Sequence, residues 1–201
     1  MYKLPAAHVG QYAEQDAAIT LKLWQRFKTL VVEENIQDIF ELELNVLRAT
    51  IPMRQKGVRV DLEKAEKLKT KLQKQENDII QTIKKQYSVD VDLWAAVSIA
   101  KAFDSAGLEY NYTEKTEAPS FTKNFLTNHE HELPRMIVKA REYNKARTTF
   151  IDTILRHQHK GRVHAEAHSL RSDVGGTITG RFSYSNPNLQ QIPARHAELG
   201  P

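Results

Sequence analysis

The chain has 201 residues, 40% hydrophobic and 27% charged, with a formal net charge of +4 and a pI near 9.2. That is enough sequence to bury a core in one large or two small domains, and the balance leans towards an anionic partner. No run approaches 18 apolar residues, the opening "MYKLPAAHVGQYAEQD" has no apolar h-region, and cysteine is absent. Neither a membrane span nor a signal peptide is expected, and disulfides and thiolate metal sites are excluded.

Most of the chain reads as helix. Residues 11–32 carry Ile19, Leu23, Phe27 and Leu30 at spacings of four, four and three, an apolar stripe of helical period. Residues 36–55 repeat it through Ile36, Ile39/Phe40, Leu44 and Val46/Leu47. Gly57 breaks the pattern, "VRVD" (58–61) is short and extended, and Asp61 is suited to cap a third helix over 62–86. In that helix Ala65, Leu68, Leu72, Ile79 and Ile83 fall near heptad spacing among seven lysines. This is the pattern of a long, half-exposed helix with an antiparallel partner.

The signal weakens between 88 and 132. "DLWAAVSIAKAFDSAGL" predicts a short amphipathic helix stopped by Gly107, residues 111–120 a polar loop, and Ser120 the cap of another short helix. A fourth long helix is expected over 134–157, with Met136, Ala140, Tyr143, Ala146, Phe150 and Ile154 on one stripe. Arg141, Lys145 and Thr148 line another face. Between Pro134 and Arg171 nine Lys/Arg stand against three acids, so the basic bias shares that face. After Gly161 "RVHAEAHS" alternates, placing Val163, Ala165 and Ala167 opposite His164, Glu166 and His168. With "TITGRFSYS" beyond Gly175-Gly176 it predicts a β-hairpin with a long connection. The fold expected is mainly α, with long antiparallel helices and a small β-hairpin near the C-terminus.

His157, His159, His164 and His168 invite a metal reading. On a strand, however, His164 and His168 stand ~13 Å apart by backbone rise, and no carboxylate cluster accompanies them, so exposed strand histidines are the better account. Tyr12 and Asp16 lie one helical turn apart; a phenol beside a carboxylate can help hold a divalent cation when other carboxylates join it. "TGRFSYSNPNLQQIP" (179–193) is more specific. Thr179, Arg181, Asn188, Gln190 and Gln191 offer donors with no carboxylate among them, and Pro187 and Pro193 fix the backbone on either side of "NLQQI". The minor groove presents mainly N3 and O2 acceptors, nearly alike for every correct base pair. Donors of this kind grip a duplex without reading its sequence.

That stretch resembles the segment of family A (polymerase I-like) DNA polymerases, phage branch, that usually reads "TGRLSS.NPNLQNIP". "KARTTFID" (145–152) and "KGRVHAEAH" (160–168) resemble the thumb-to-palm segments before it. "QKGVRVD" (55–61) resembles the connection into the thumb, and "VGQYAEQDAAITLKLW" (9–24) the last motif of the 3′–5′ exonuclease domain. Phe182, Tyr184 and Gln191 depart from the usual Leu, Ser and Asn.

The resemblance implies that 1–32 is the tail of an exonuclease domain, 33–157 the thumb and 158–201 the start of the palm. It makes Asp16 a metal-binding carboxylate and Tyr12 the residue that positions the attacking water. Arg141 and Lys145, with Thr148 in their row, would hold the DNA backbone. Arg181 would meet the primer terminus from the minor groove, and Thr179, Asn188, Gln190 and Gln191 would touch nearby duplex. The partner implied is primer–template duplex DNA, and the location the cytoplasm of a phage-infected bacterium. The complete enzyme would use Mg²⁺, but the "DYS" segment, the fingers helix and the "HDE"-type segment are missing, so this chain alone is expected to extend no primer. A separate C-terminal chain carrying palm and fingers would complete it. The rival readings are a stand-alone, non-catalytic DNA-binding or regulatory module and a truncated gene product.

Overall fold

The computed structural model describes residues 5–193, with backbone alone at 6–8. Contacts divide the chain into one unit up to Met53 and a larger one from Arg54 onward. The division falls inside the second long helix.

In the smaller unit, α1 (Ala6–Glu33) and most of α2 (Gln37–Lys56) carry the two predicted stripes. The chain reverses at Asn35, φ 55°, a left-handed position that Asn tolerates better than most residues. Trp24 stacks on Phe40 across the hairpin with ring centroids 5.9 Å apart. The apolar stripes nevertheless stay wet: α2 buries no residue, and Trp24, Phe27, Ile39 and Leu47 are 45–63% exposed.

In the larger unit the chain leaves α2 at Gly57, φ 66°. A Cβ there would sit 2.8 Å from the His164 ring and 2.9 Å from the Val163 carbonyl oxygen, so both the close approach and the left-handed backbone call for glycine. β1 (Val58–Arg59) then pairs antiparallel with β5 (Arg162–Val163), which also pairs with β4 (Gln158–His159). Asp61 caps α3 (Leu62–Tyr87) as its position predicts, its carboxylate accepting from the Lys64 N–H at 2.9 Å. A cap of this kind contributes about 1 kcal/mol.

α3 lies against α6 (Glu132–Lys145), and the two run antiparallel: Glu76 meets Asn144, while Lys69, earlier on α3, meets Asp152. Leu72 and Ile83, on the predicted heptad stripe, are fully buried. One core gathers Ile83, Phe103, Leu126, Leu133 and Ile137. A second joins Leu72 to Tyr143, Ala146 and Ile151. Each fully buried side chain of this size contributes roughly 1.5–3 kcal/mol, so the unit holds itself together.

Between the long helices come α4 (Ala96–Ser105), a hairpin of two-residue strands and α5 (Lys123–Asn128). Where a polar loop was expected, β2 (Asn111–Tyr112) pairs with β3 (Pro119–Ser120). Ser120 is thereby committed to the ladder, and Thr122 caps α5 in its place, its hydroxyl accepting from the Phe125 N–H. The fourth helix begins earlier than predicted, capped by His131 Nδ1, which accepts from the Leu133 N–H at 3.1 Å. It also changes register: Ala146–Ile151 is π-helical before α7 (Asp152–His157) resumes. The wider turn tucks Ala146 and Ile151 inside together. Finally, β6 (Glu166–His168) pairs with β7 (Ser183–Ser185), the expected hairpin. The alternating run 162–168 is therefore shared between two sheets. Among the described residues no helix is long and apolar enough to cross a membrane.

Candidate nucleic-acid interface

The amide-rich segment keeps some donors for itself and presents others. Asn188 accepts from the Gln190 N–H at 3.1 Å, starting a 3₁₀ turn over Leu189–Gln191, and the Gln190 amide donates to the Phe182 carbonyl at 3.1 Å. Thr177 donates to the Arg181 carbonyl at 2.8 Å. The peptide bond Asn186–Pro187 is cis and Pro187 is buried. These bonds fix the loop, while the side chains of Thr179, Arg181 and Gln191 stay exposed. Glu166, on neighbouring β6, is occupied by Arg54 at 2.5 Å and by the Asn186 amide at 3.4 Å. Its charge is thus answered within the fold, and Arg181 is left facing solvent.

The basic row on the fourth helix is arranged differently from its spacing. The Arg141 guanidinium turns inward, donating to the carbonyls of Leu93 at 2.8 Å and Phe121 at 3.3 Å, and lies 5.3 Å from the centre of the Trp94 ring. Burial lowers its pKa from the usual arginine value, yet a guanidinium stays cationic. Lys145 is exposed. Thr148 is exposed as well, but its hydroxyl donates to the Asn144 carbonyl at 2.8 Å, and it lies within the π-helical turn, where α-helical spacing no longer holds.

Two hollows add residues that periodicity alone did not reveal. One, about 440 Å³, lies along α3 and the π-helical turn and is lined by Lys69, Thr70, Gln73, Lys74, Asn77, Asp78 and Arg147. Arg147 is held by Glu76 at 3.1 Å and faces Asp152 at 3.7 Å, while Lys69 binds Asp152 at 2.8 Å. That hydrogen bond raises the Lys69 pKa. Glu76 is 6% exposed and also accepts from Asn144 at 2.8 Å. Removing one partner from such a buried set typically costs about 3–5 kcal/mol, so the set keeps the π-helical turn seated on α3. The other hollow, about 200 Å³, is lined by Trp94, Lys123, Leu126, Val138, Arg141, Glu142 and Lys145. The sequence signals were the seven lysines of 62–86 and the Arg141–Lys145 row, which say nothing about which other side chains converge with them.

Tyr12 and Asp16 share α1 one turn apart, both exposed. Among the described residues no three His, Cys, Asp or Glu side chains gather as a metal site; a Mg²⁺ site at Asp16 would need further oxygen ligands. The four histidines are not gathered either. His164 Nδ1 is 2.7 Å from the Arg54 carbonyl, His168 Nε2 is 2.8 Å from the Ser185 hydroxyl, and His157 Nδ1 is 2.9 Å from the Thr153 carbonyl. His159 is exposed at the end of β4.

Residues 62–200 match the family model for DNA polymerase family A. The chain is 31% identical over 205 residues to a DNA-directed DNA polymerase of Pseudomonas phage M6, covering 97% of this chain and 31% of that protein. It is 28% identical over 218 residues to the DNA polymerase DpoZ of Acinetobacter phage SH-Ab 15497, covering 99% and 35%. This chain thus spans about a third of the length of these relatives. In structure it is similar to the POL domain of Pol1 from M. smegmatis, solved in complex with DNA primer-template and dNTP. That likeness has a TM-score of 0.64 at 25% identity, over 78% of this chain and 27% of that one. With the family's pattern running through more than half of its residues, the chain belongs to DNA polymerase family A.

Proposed function

We propose that this chain is the primer–template-holding portion of a family A DNA polymerase, with 33–157 acting as thumb, 158–201 as the start of the palm and 1–32 as an exonuclease-domain tail. The observation that carries it is the larger unit's pairing of two features. It has lysine-lined hollows, and a fixed loop offering Arg181 and Gln191 with no carboxylate, the Thr179 hydroxyl being donated to that of Thr177. Lysines supply sequence-independent grip on phosphates. The loop supplies donors to the N3 and O2 acceptors shared by all correct pairs. Asn188 and Gln190 hold the loop in shape, so their contact with duplex is through the backbone they position. Arg141 acts at one remove, by fixing the chain around Leu93 and Phe121. The solved relative's primer-template complex lends the same direction.

Among the described residues no three His, Cys, Asp or Glu side chains gather as a metal site, and no chemical step is assigned to them. Nucleotidyl transfer belongs to a complete enzyme, in which a further polypeptide region, in the same or a separate chain, supplies the metal-binding carboxylates. The chain would work in the cytoplasm of an infected bacterium.

Binding of blunt duplex DNA tests this reading. Affinity in the roughly 10⁻⁴–10⁻⁶ M range is expected for such non-specific contacts, independent of sequence and falling steeply with salt. Lys74→Ala with Lys145→Ala should weaken binding to all duplexes alike and lower the log–log salt slope by about two. A double variant that binds as the parent with the parent's slope contradicts the proposal.

A further inference from the structure

The hollow beside Trp94 is built unlike a plain phosphate grip. Trp94 is 61% exposed, although a tryptophan is normally mostly covered. Its backbone is anchored, the main-chain N–H donating to the Asp92 carboxylate at 2.8 Å, and the Arg141 guanidinium lies over its ring, 5.3 Å from the centre. Arg141 is itself tied to two backbone carbonyls, those of Leu93 and Phe121. The fold therefore spends a half-buried cation on holding a large aromatic ring at the surface. The hollow beside that ring is also lined by Val138, the fully buried Leu126, Lys123 and Lys145, with Glu142 as the sole acid of the lining.

A π-face, an apolar lining and a net positive charge are the parts that receive a nucleobase with its phosphate. The volume narrows the occupant. About 200 Å³ is below the roughly 300–1,000 Å³ of sites that enclose drug-sized ligands. It suits one heterocycle whose sugar and phosphate remain outside, on the lysines. A base inside a duplex is stacked on its neighbours and cannot enter, so the occupant is unpaired.

We propose that Trp94, with Lys123 and Lys145, forms a seat for one unpaired nucleotide of a DNA strand, stacked on the indole, and that Arg141 is the positioning residue for that seat. The seat rests on the DNA-holding reading above and adds a preference for single-stranded DNA next to the duplex. It gives the chain a way to register where pairing ends.

The test uses the chain with Trp24→Phe, which leaves Trp94 as the sole indole. Two probes are compared: a blunt duplex, and the same duplex with a four-nucleotide thymidine overhang. The overhang should quench Trp94 emission and the blunt duplex should not. Base–aromatic stacking supports about a tenfold loss of overhang affinity in Trp94→Ala, with blunt-duplex affinity unchanged and most overhang affinity retained in Trp94→Phe. Because the ring is exposed, these variants keep the fold. Equal quenching by both probes, no quenching by either, or equal weakening of both by Trp94→Ala overturns the seat while leaving duplex holding in place. Failure to bind either DNA overturns both.

Discussion

The two units of this chain have similar apolar patterning and opposite fates for it. In α1 and α2 the stripes predicted from Ile19, Leu23, Phe27 and Leu44 are present on helices, yet Ile19, Leu23 and Phe27 remain 45–52% exposed. In the larger unit the stripe of α3 meets that of α6, and Leu72, Ile83 and Ile137 are fully buried. Periodicity states which face of a helix is apolar; it does not state whether anything covers that face. A two-helix hairpin has too few layers to enclose a core. The α3–α6 pair succeeds because α4, α5 and the β2–β3 hairpin bring Phe103, Leu126 and Phe121 to its side.

The sharpest way to break this contrast is truncation on each side. Phe103 is fully buried and packs on Phe121 at 4.8 Å between ring centroids, while Phe27 is 52% exposed. Phe103→Ala should lower stability by about 3–5 kcal/mol in chemical denaturation. Phe27→Ala should change it by less than about 1 kcal/mol. Equal losses would mean that the smaller unit carries a core of its own.

What the sequence disclosed follows the same physics. Asp61 and the heptad stripe of α3 were legible because cap and period are local. The Gly57 break was legible for the same reason. The π-helical turn was not, since "ARTTFI" continues an α-helical pattern, and the bonds that Asn144 and Arg147 make there run to Glu76, about seventy residues away. The three-stranded sheet was hidden because strands of two residues carry no period. At the candidate site, the carboxylate-free loop with Arg181 could be read directly. The inward turn of Arg141 could not, because its acceptors at Leu93 and Phe121 are distant in sequence.

A smaller effect sharpens the picture of the hairpin side of the larger unit. Tyr110 has its pKa pushed up to about 12, first by its hydrogen-bonded neighbour Tyr112 and then by burial. The folded state thus holds the phenolic proton more tightly than the unfolded chain. The associated stability is fully present below about pH 10 and is lost as pH rises towards 12. Tyrosine absorbance at 295 nm should show a late-titrating group, and Tyr112→Phe should move it down towards the ordinary range. Titration of that group unchanged by Tyr112→Phe would remove the pair as the cause.

The central claim is that the larger unit, and not the α1–α2 hairpin, holds the DNA. Amide hydrogen exchange of the chain with and without a primer–template duplex measures this directly. Added DNA should slow exchange around 92–97, along 141–149 and across 177–192, with 10–50 unchanged. Protection confined to 10–50, or none anywhere at DNA concentrations that saturate binding, would contradict it.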